Sequence, residues 1–282
     1  MAVNMESTMS RIQTIIQKAL LKPDLRDLLD QAPNVVGSMS YDRWGLNPDS
    51  QRTGLALSKI LYDYYFRAQA YGLENIPASG RVLIIGNHSG HTPIDGILMG
   101  VAMSTNPHGP RIPRAMVERL FPRLPYLGNL VTAVGGVVGE VKNCHDMLLN
   151  EEAVMVFPEG ARGTGKGYAK RYQLQRFGQG FMHLAMETNT PIIPVGVVGC
   201  EEALPMYGNL SSLARMLSVP YIPITTPLPL PYKVHIHFGE PMVFNGPISS
   251  ESQVADNVEQ VRQRIESLLD KAQLMRQAGK SA

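Results

Sequence analysis

Asn87-His88-Ser89-Gly90-His91-Thr92-Pro93-Ile94-Asp95 sets two imidazoles and a carboxylate close together, and Phe157-Pro158-Glu159-Gly160-Ala161-Arg162 adds a second carboxylate and a guanidinium 69 residues after His88. An imidazole titrates near neutrality, so one whose tautomer is held by a carboxylate can take a proton from a hydroxyl, which is general-base chemistry. His88 with Asp95 is one such pair, and His91, four residues before Asp95, competes for the base role. Asp95 also has an ordinary reading. Thr92, Pro93 and Asp95 match an N-cap, a first-turn proline and a T-x-x-D capping box, in which the carboxylate only starts a helix. Asn87 and Ser89 belong to the same polar turn, but no G-x-S-x-G elbow exists to make Ser89 a nucleophile. His88, His91 and Asp95 form no ligand set of recognised spacing, so no metal is expected.

The glycines after Glu159 invite a phosphate-binding reading. Gly160-Ala161-Arg162-Gly163-Thr164-Gly165-Lys166 completes G-x-x-x-x-G-K, yet Gly167 stands where a P-loop needs Ser or Thr for magnesium, so nucleotide hydrolysis is not expected. Backbone donors with Arg162 and Lys166 would still suit a phosphate. Lys170, Arg171 and Arg176 prolong this run without an intervening acid, giving either a positive strip beside the site or a solvated basic face.

Both motifs follow short apolar runs, residues 82–85 and 153–157, and so fall at strand ends, where ligands bind in α/β sheets. From residue 80 onward, strands are expected over 81–85, 130–138, 153–157, 192–198 and 234–238, with helices over 93–103, 143–150 and 178–187. This alternation predicts an α/β fold with a mostly parallel central sheet flanked by helices. Val254, Val258, Val261, Ile265 and Leu268 form a helical stripe that packs outside the sheet. At the other end, Met5, Met9, Ile12, Ile15, Ile16, Ala19 and Leu20 recur at helical steps and predict an N-terminal amphipathic helical extension, lying on the core or on a bilayer. Residues 33–52 read as a loop and 55–66 as an apolar, aromatic helix. The uncharged stretch 216–232 contains five prolines and cannot be a spanning helix; it reads as a hydrophobic lid, a membrane-contacting surface or a core-packed connector.

Composition bounds the rest. With 26 Lys+Arg against 24 Asp+Glu in 282 residues, no global charge argues for nucleic acid as a partner. Cys144 and Cys200 make neither a disulfide framework nor a zinc knuckle, and a reducing compartment is expected. No secretory signal and no membrane span are expected.

Taken together, the blocks resemble the PlsC-like glycerolipid acyltransferases, which include the 1-acylglycerol-3-phosphate O-acyltransferases. The resemblance covers residues 72–244: Gly72-Leu73-Glu74-Asn75-Ile76-Pro77, the Asn-His turn at His88, Phe157-Pro158-Glu159-Gly160, and Pro191-Ile192-Ile193-Pro194-Val195. The family's first block reads H-x4-D, whereas here position 93 is proline and the carboxylate comes seven residues after His88, in an N-H-S-G-x-x-P-x-D form. The second block matches poorly, with Lys142 as the nearest basic candidate after Gly139.

The resemblance implies acyl transfer from a thioester, acyl-CoA or acyl carrier protein, to a hydroxyl of a lysophospholipid-type acceptor, with 1-acylglycerol-3-phosphate as the default. His88 oriented by Asp95 would be the base, Glu159 and Gly160 would help form the acceptor site, and Arg162 would neutralise its phosphate. No acyl-enzyme and no cofactor are implied. Residues 1–70 would be a helical extension and loop, able to meet a membrane, and 71–282 the acyltransferase domain with its C-terminal helix. A cytoplasmic protein, peripheral on the cytoplasmic face of a membrane, is expected. A lipid or thioester hydrolase, or a non-catalytic lipid-binding protein on the same fold, remain the alternatives.

Overall fold

Val82-Leu83-Ile84-Ile85 is apolar without alternation, the pattern of a strand covered on both faces. In the computed structural model, which describes residues 2–30, 40–89, 93–118, 127–216 and 222–278, these residues lie at the centre of a seven-stranded sheet. The strands are β1 (Gln69–Tyr71), β2 (Val82–Gly86), β3 (Arg114–Val117), β4 (Gly136–Val138), β5 (Ala153–Val156) and β6 (Ile192–Val198). A separate short ribbon pairs β7 (Gly208–Asn209) with β8 (Pro223–Ile224), and β9 (His235–Phe238) returns to the main sheet. Its order is β1-β9-β6-β2-β5-β3-β4, parallel throughout except where β9 runs antiparallel to β6.

The helices are α1 (Ala2–Leu20), α2 (Pro23–Asp30), α3 (Pro48–Ile60), α4 (Ile94–Ser104), α5 (Leu127–Ala133), α6 (Val141–Leu149), α7 (Ala161–Thr164), α8 (Gly180–Glu187), α9 (Cys200–Ala203), α10 (Ser211–Met216) and α11 (Glu251–Ala278). Alternate residues of β2 serve opposite faces, as the pleat requires. Leu83 and Ile85 pack with α6, α8 and α11, while Val82 and Ile84 pack with α4 and α9. The predicted stripe of α11 is buried from Val254 to Leu268. Gly196 of β6 lets that helix approach, because a Cβ there would stand 3.0 Å from the Leu268 carbonyl carbon.

The N-terminal helix packs through its polar side. Gln13 donates to Ser50 Oγ and Gln17 to Asp49 O and Thr53 Oγ1 of α3. Ile16 and Leu21 join a small cluster with Leu29, Leu55, Ala56 and Val101, whereas Ile12 and Ile15 are 44% and 65% exposed. No helix among the described residues is long and apolar enough to cross a membrane.

Three local expectations are corrected. The loop read over 33–52 gives way to helix at Pro48, because Asn47 Oδ1 accepts from Ser50 N–H and caps α3. The run read as a strand over 130–138 is split: residues up to Ala133 are helical, and Gly135, at φ 105°, turns the chain into β4. β3 was not anticipated; it carries Arg114, whose buried guanidinium pairs with Asp42 and Glu152, and a charge inside a strand hides its pattern. Of the uncharged stretch, 217–221 lies outside the described residues, and Leu228 is 73% exposed.

Candidate active site

Parallel pairing of β2 with β5, with Ile85 opposite Val156, brings the two sequence motifs to one edge of the sheet. The His88 N–H donates to Glu159 Oε1 at 3.0 Å, and the His88 ring stacks on Phe157 with centroids 4.4 Å apart and planes 19° from parallel. Asn87 anchors the turn from the other neighbour: its Nδ2 donates to Val197 O (3.0 Å) and its Oδ1 accepts from Val197 N–H (2.7 Å). A buried amide side chain thus takes the place of a strand's own donor and acceptor. His88 is thereby fixed from β5 on one side and β6 on the other.

Asp95 sits in the first turn of α4 and is fully buried. Its Oδ2 accepts from His88 Nδ1 (2.8 Å) and from Ser89 N–H (2.8 Å), and its Oδ1 from Gly96 N–H (2.7 Å). The capping-box reading is corrected: α4 begins at Ile94 with Pro93 at the cap position, and Asp95 satisfies the N–H of Gly96 inside the first turn while it orients the imidazole, at the positive end of the α4 dipole. An ionised carboxylate can only accept, so Nδ1 carries the proton and Nε2 offers its lone pair. Nε2 has no hydrogen-bond partner among the described residues, and 19% of the side chain is exposed. Burial pushes the His88 pKa down, but the charge and hydrogen bond of Asp95, with Glu159 and Glu118 nearby, outweigh it and hold the pKa above the usual histidine value.

Glu159 is 1% exposed and spends both oxygens on the protein, Oε1 on His88 N–H and Oε2 on Gln175 N–H at 2.7 Å. Lys166 turns inward as well. Its Nζ lies 2.8 Å from Glu201 Oε1 and 3.9 Å from Glu159 Oε2, with only 4% of its side chain exposed. Arg162, by contrast, is exposed in α7 and has no acidic partner among the described residues. Gly160 adopts φ 55°, ψ −146°, a conformation open to glycine. Gly163 is needed for space, since a Cβ there would stand 2.7 Å from Glu159 Cβ and 3.1 Å from His88 Cβ.

The structure thus gathers His88, Asp95, Asn87, Ser89, Glu159 and Gly160, sets Arg162 on the surface beside them, and buries Lys166 beneath. His91 and Thr92 lie outside the described residues. Phe157, Gly163, Gln175, Glu118 and Glu201 were not singled out from sequence as site residues. Glu118 follows β3 directly, so a strand-end rule would have found it once that strand was seen; Gln175 and Glu201 meet the site through tertiary contacts that leave no local signal.

An acyltransferase family model matches residues 67–198, a span containing both motifs. Uncharacterized proteins of Mycobacterium bovis (strain ATCC BAA-935 / AF2122/97) and Mycobacterium tuberculosis (strain ATCC 25618 / H37Rv) are each 34% identical over 250 residues, covering 83% of this chain and 70% of the relative. An uncharacterized protein of Mycobacterium leprae (strain TN) is 33% identical over the same length, covering 68% of that protein. The crystal structure of the 1-acyl-sn-glycerophosphate (LPA) acyltransferase PlsC from Thermotoga maritima shares the fold, with a TM-score of 0.51 and 19% identity over 77% of this chain and 81% of that one. The chain therefore shares a family with these mycobacterial proteins and carries an acyltransferase family domain over residues 67–198. Its fold is the one seen in the Thermotoga maritima PlsC structure.

Proposed function

We propose that the protein transfers a fatty acyl group from acyl-CoA or an acyl carrier protein to a hydroxyl of a lysophospholipid-type acceptor, most simply 1-acylglycerol-3-phosphate. The observation that carries this reading is the His88/Asp95 pair with Nε2 unpartnered among the described residues. As the acceptor oxygen attacks the thioester carbonyl, Nε2 takes its proton; the tetrahedral adduct then collapses, the C–S bond breaks, and the thiolate leaves and is protonated. A thioester is already activated, so positioning and proton removal supply most of the catalysis without an acyl-enzyme or a cofactor. Arg162, exposed beside Gly160, suits an acceptor phosphate through its planar set of donors. Glu159 serves as a positioning group, because its oxygens are committed to His88 and Gln175.

Apolar side chains exposed on α1 and on α3 with the turn after it, among them Ile12, Ile15, Leu57, Ile60 and Tyr64, support a peripheral position on a membrane. The reading is tested by following thiol release from acyl-CoA and acyl-carrier-protein donors, with and without lyso-lipid acceptors, in the wild type and His88→Ala. Release that depends on an acceptor and falls by about a hundredfold or more in the variant supports acyl transfer. Release without an acceptor points to a hydrolase, and none with any pair to a lipid-binding protein.

A further inference from the structure

A cavity of about 420 Å³ opens at the β1/β9 edge of the sheet. Because Val198 of β6 faces His235, the start of β9 lies at the same end of the sheet as His88. The cavity is nonetheless distinct from the catalytic turn: its wall includes Met275 and Arg276 of α11, which covers the face opposite α4.

Its chemistry is one-sided. Arg67, Lys233 and Arg276 line it, with no acidic residue among its lining. Arg276 is held in place, with Nη1 2.7 Å from Glu202 Oε1 and donating to the Tyr172 hydroxyl at 3.3 Å. Arg67 and Lys233 make no ion pair among the described residues, and Arg67 takes a left-handed backbone (φ 45°) that non-glycine residues seldom adopt, its guanidinium donating to Pro231 O. Tyr71 and Tyr232 supply aromatic surface. His235, only 5% exposed, lines the cavity and has a buried Nδ1 without a hydrogen-bond partner among the described residues. Burial, then Lys233 and Arg276, keep this imidazole below the usual histidine range, so it is neutral at pH 7 and able both to donate and to accept.

We propose that this cavity is a second binding site, for a phosphate monoester dianion carried on a small molecule with a flat or apolar part. Arg67 and Lys233 meet the phosphate, the tyrosines meet the remainder, and the volume suits a ligand of nucleotide size. The assignment does not rest on the acyl-transfer reading.

Titration calorimetry on the full chain tests it with three probes: inorganic phosphate, adenosine 3′,5′-bisphosphate and a water-soluble short-chain phosphatidate. At least one should bind, and Lys233→Glu and Arg67→Gln should each weaken this binding about tenfold or more, the loss expected when a charge-assisted contact goes, while Arg162→Ala, which removes only a contact on the catalytic side, leaves this component of the binding in place. Preference for the bisphosphate or for the phosphatidate identifies a nucleotide or a lipid headgroup as the source; equal binding of inorganic phosphate makes the phosphate alone the determinant. Because Lys233 is exposed, its variant should keep the wild-type melting temperature. Binding of no probe at millimolar concentration, or binding lost in Arg162→Ala but retained in Lys233→Glu, would overturn the proposal.

Discussion

The backbone N–H of His88 and the carboxylate of Glu159 are hydrogen-bonded at 3.0 Å, so the residue that carries the base is held by the motif on the neighbouring strand. The other oxygen of that carboxylate holds Gln175 N–H. Glu159→Gln keeps the shape but puts an NH2 group against one of these donors. Replacing a buried acceptor in this way costs about 1–3 kcal/mol of stability. We expect kcat to fall by roughly tenfold or more through a displaced His88, with the KM for the acceptor little changed. A rise in KM at unchanged kcat would instead mark Glu159 as a contact to the acceptor; urea melts and steady-state kinetics on the same preparations separate the two.

Asp95 has two duties that different substitutions separate. Asp95→Asn keeps an acceptor for Gly96 N–H but turns an NH2 group toward His88 Nδ1 and Ser89 N–H, so the Nδ1–H tautomer is no longer fixed and activity should fall by about a thousandfold or more. Asp95→Ala also strands the buried N–H groups of Ser89 and Gly96, adding a stability loss of about 1–3 kcal/mol for each group left unsatisfied. Equal melting temperatures for the two variants would remove the helix-start duty from this carboxylate.

His88 also sets the pH dependence. Its pKa is raised in the fold, burial being outweighed by Asp95, Glu159 and Glu118, and only the neutral ring can accept a proton. Activity should therefore climb with pH through a midpoint above the ordinary value of 6.5. Stability runs the other way: a raised histidine pKa adds stability that is complete below the unfolded-state pKa and is lost as pH rises through the folded one. Glu118→Gln removes part of the negative field and should move the midpoint of kcat/KM to lower pH; an unmoved midpoint would assign the titration to another group.

Much of this was legible in advance, and the omissions have physical causes. Uninterrupted apolar runs marked β2, β5 and β6, and polar residues directly after them marked the site, because strand ends are where side chains leave the sheet. That β2 and β5 are neighbours is a tertiary choice no local pattern encodes, and it is what turns Glu159 toward His88. Lys166 illustrates the same limit. In sequence it belongs to a basic run, but Glu201, 35 residues later, draws its ammonium inward. Leu130 to Ala133 failed for a different reason, since a short apolar run suits a helix or a strand equally until the turn at Gly135 is placed.

Gly160 and Gly163 lie three residues apart and should fail differently. At Gly160 nothing stands within 4 Å of a Cβ, so Gly160→Ala meets only backbone strain, about 1–3 kcal/mol, and a chain that still folds should keep much of its activity. At Gly163 the added methyl would press on both Glu159 and His88, so Gly163→Ala should lose activity out of proportion to stability. Comparing kcat with melting temperature for both variants decides; a parallel loss in the two would mean that Gly163 shapes only the loop.

The N-terminal helix spends its glutamine side on α3 while Ile12 and Ile15 face outward. If these residues meet a bilayer, burying each would contribute about 1.5–3 kcal/mol to binding, and replacing both by Asp would remove that term and add the cost of bringing carboxylates to an apolar interface. The double variant should leave the melting temperature and the turnover of a soluble short-chain acceptor unchanged, since neither residue belongs to the core. It should pellet with vesicles at least about tenfold less and lose activity on acceptors embedded in them. Unaltered sedimentation would move the contact to the exposed positions of α3 and the turn beyond it, Leu57, Ile60 and Tyr64, where the same paired measurement applies.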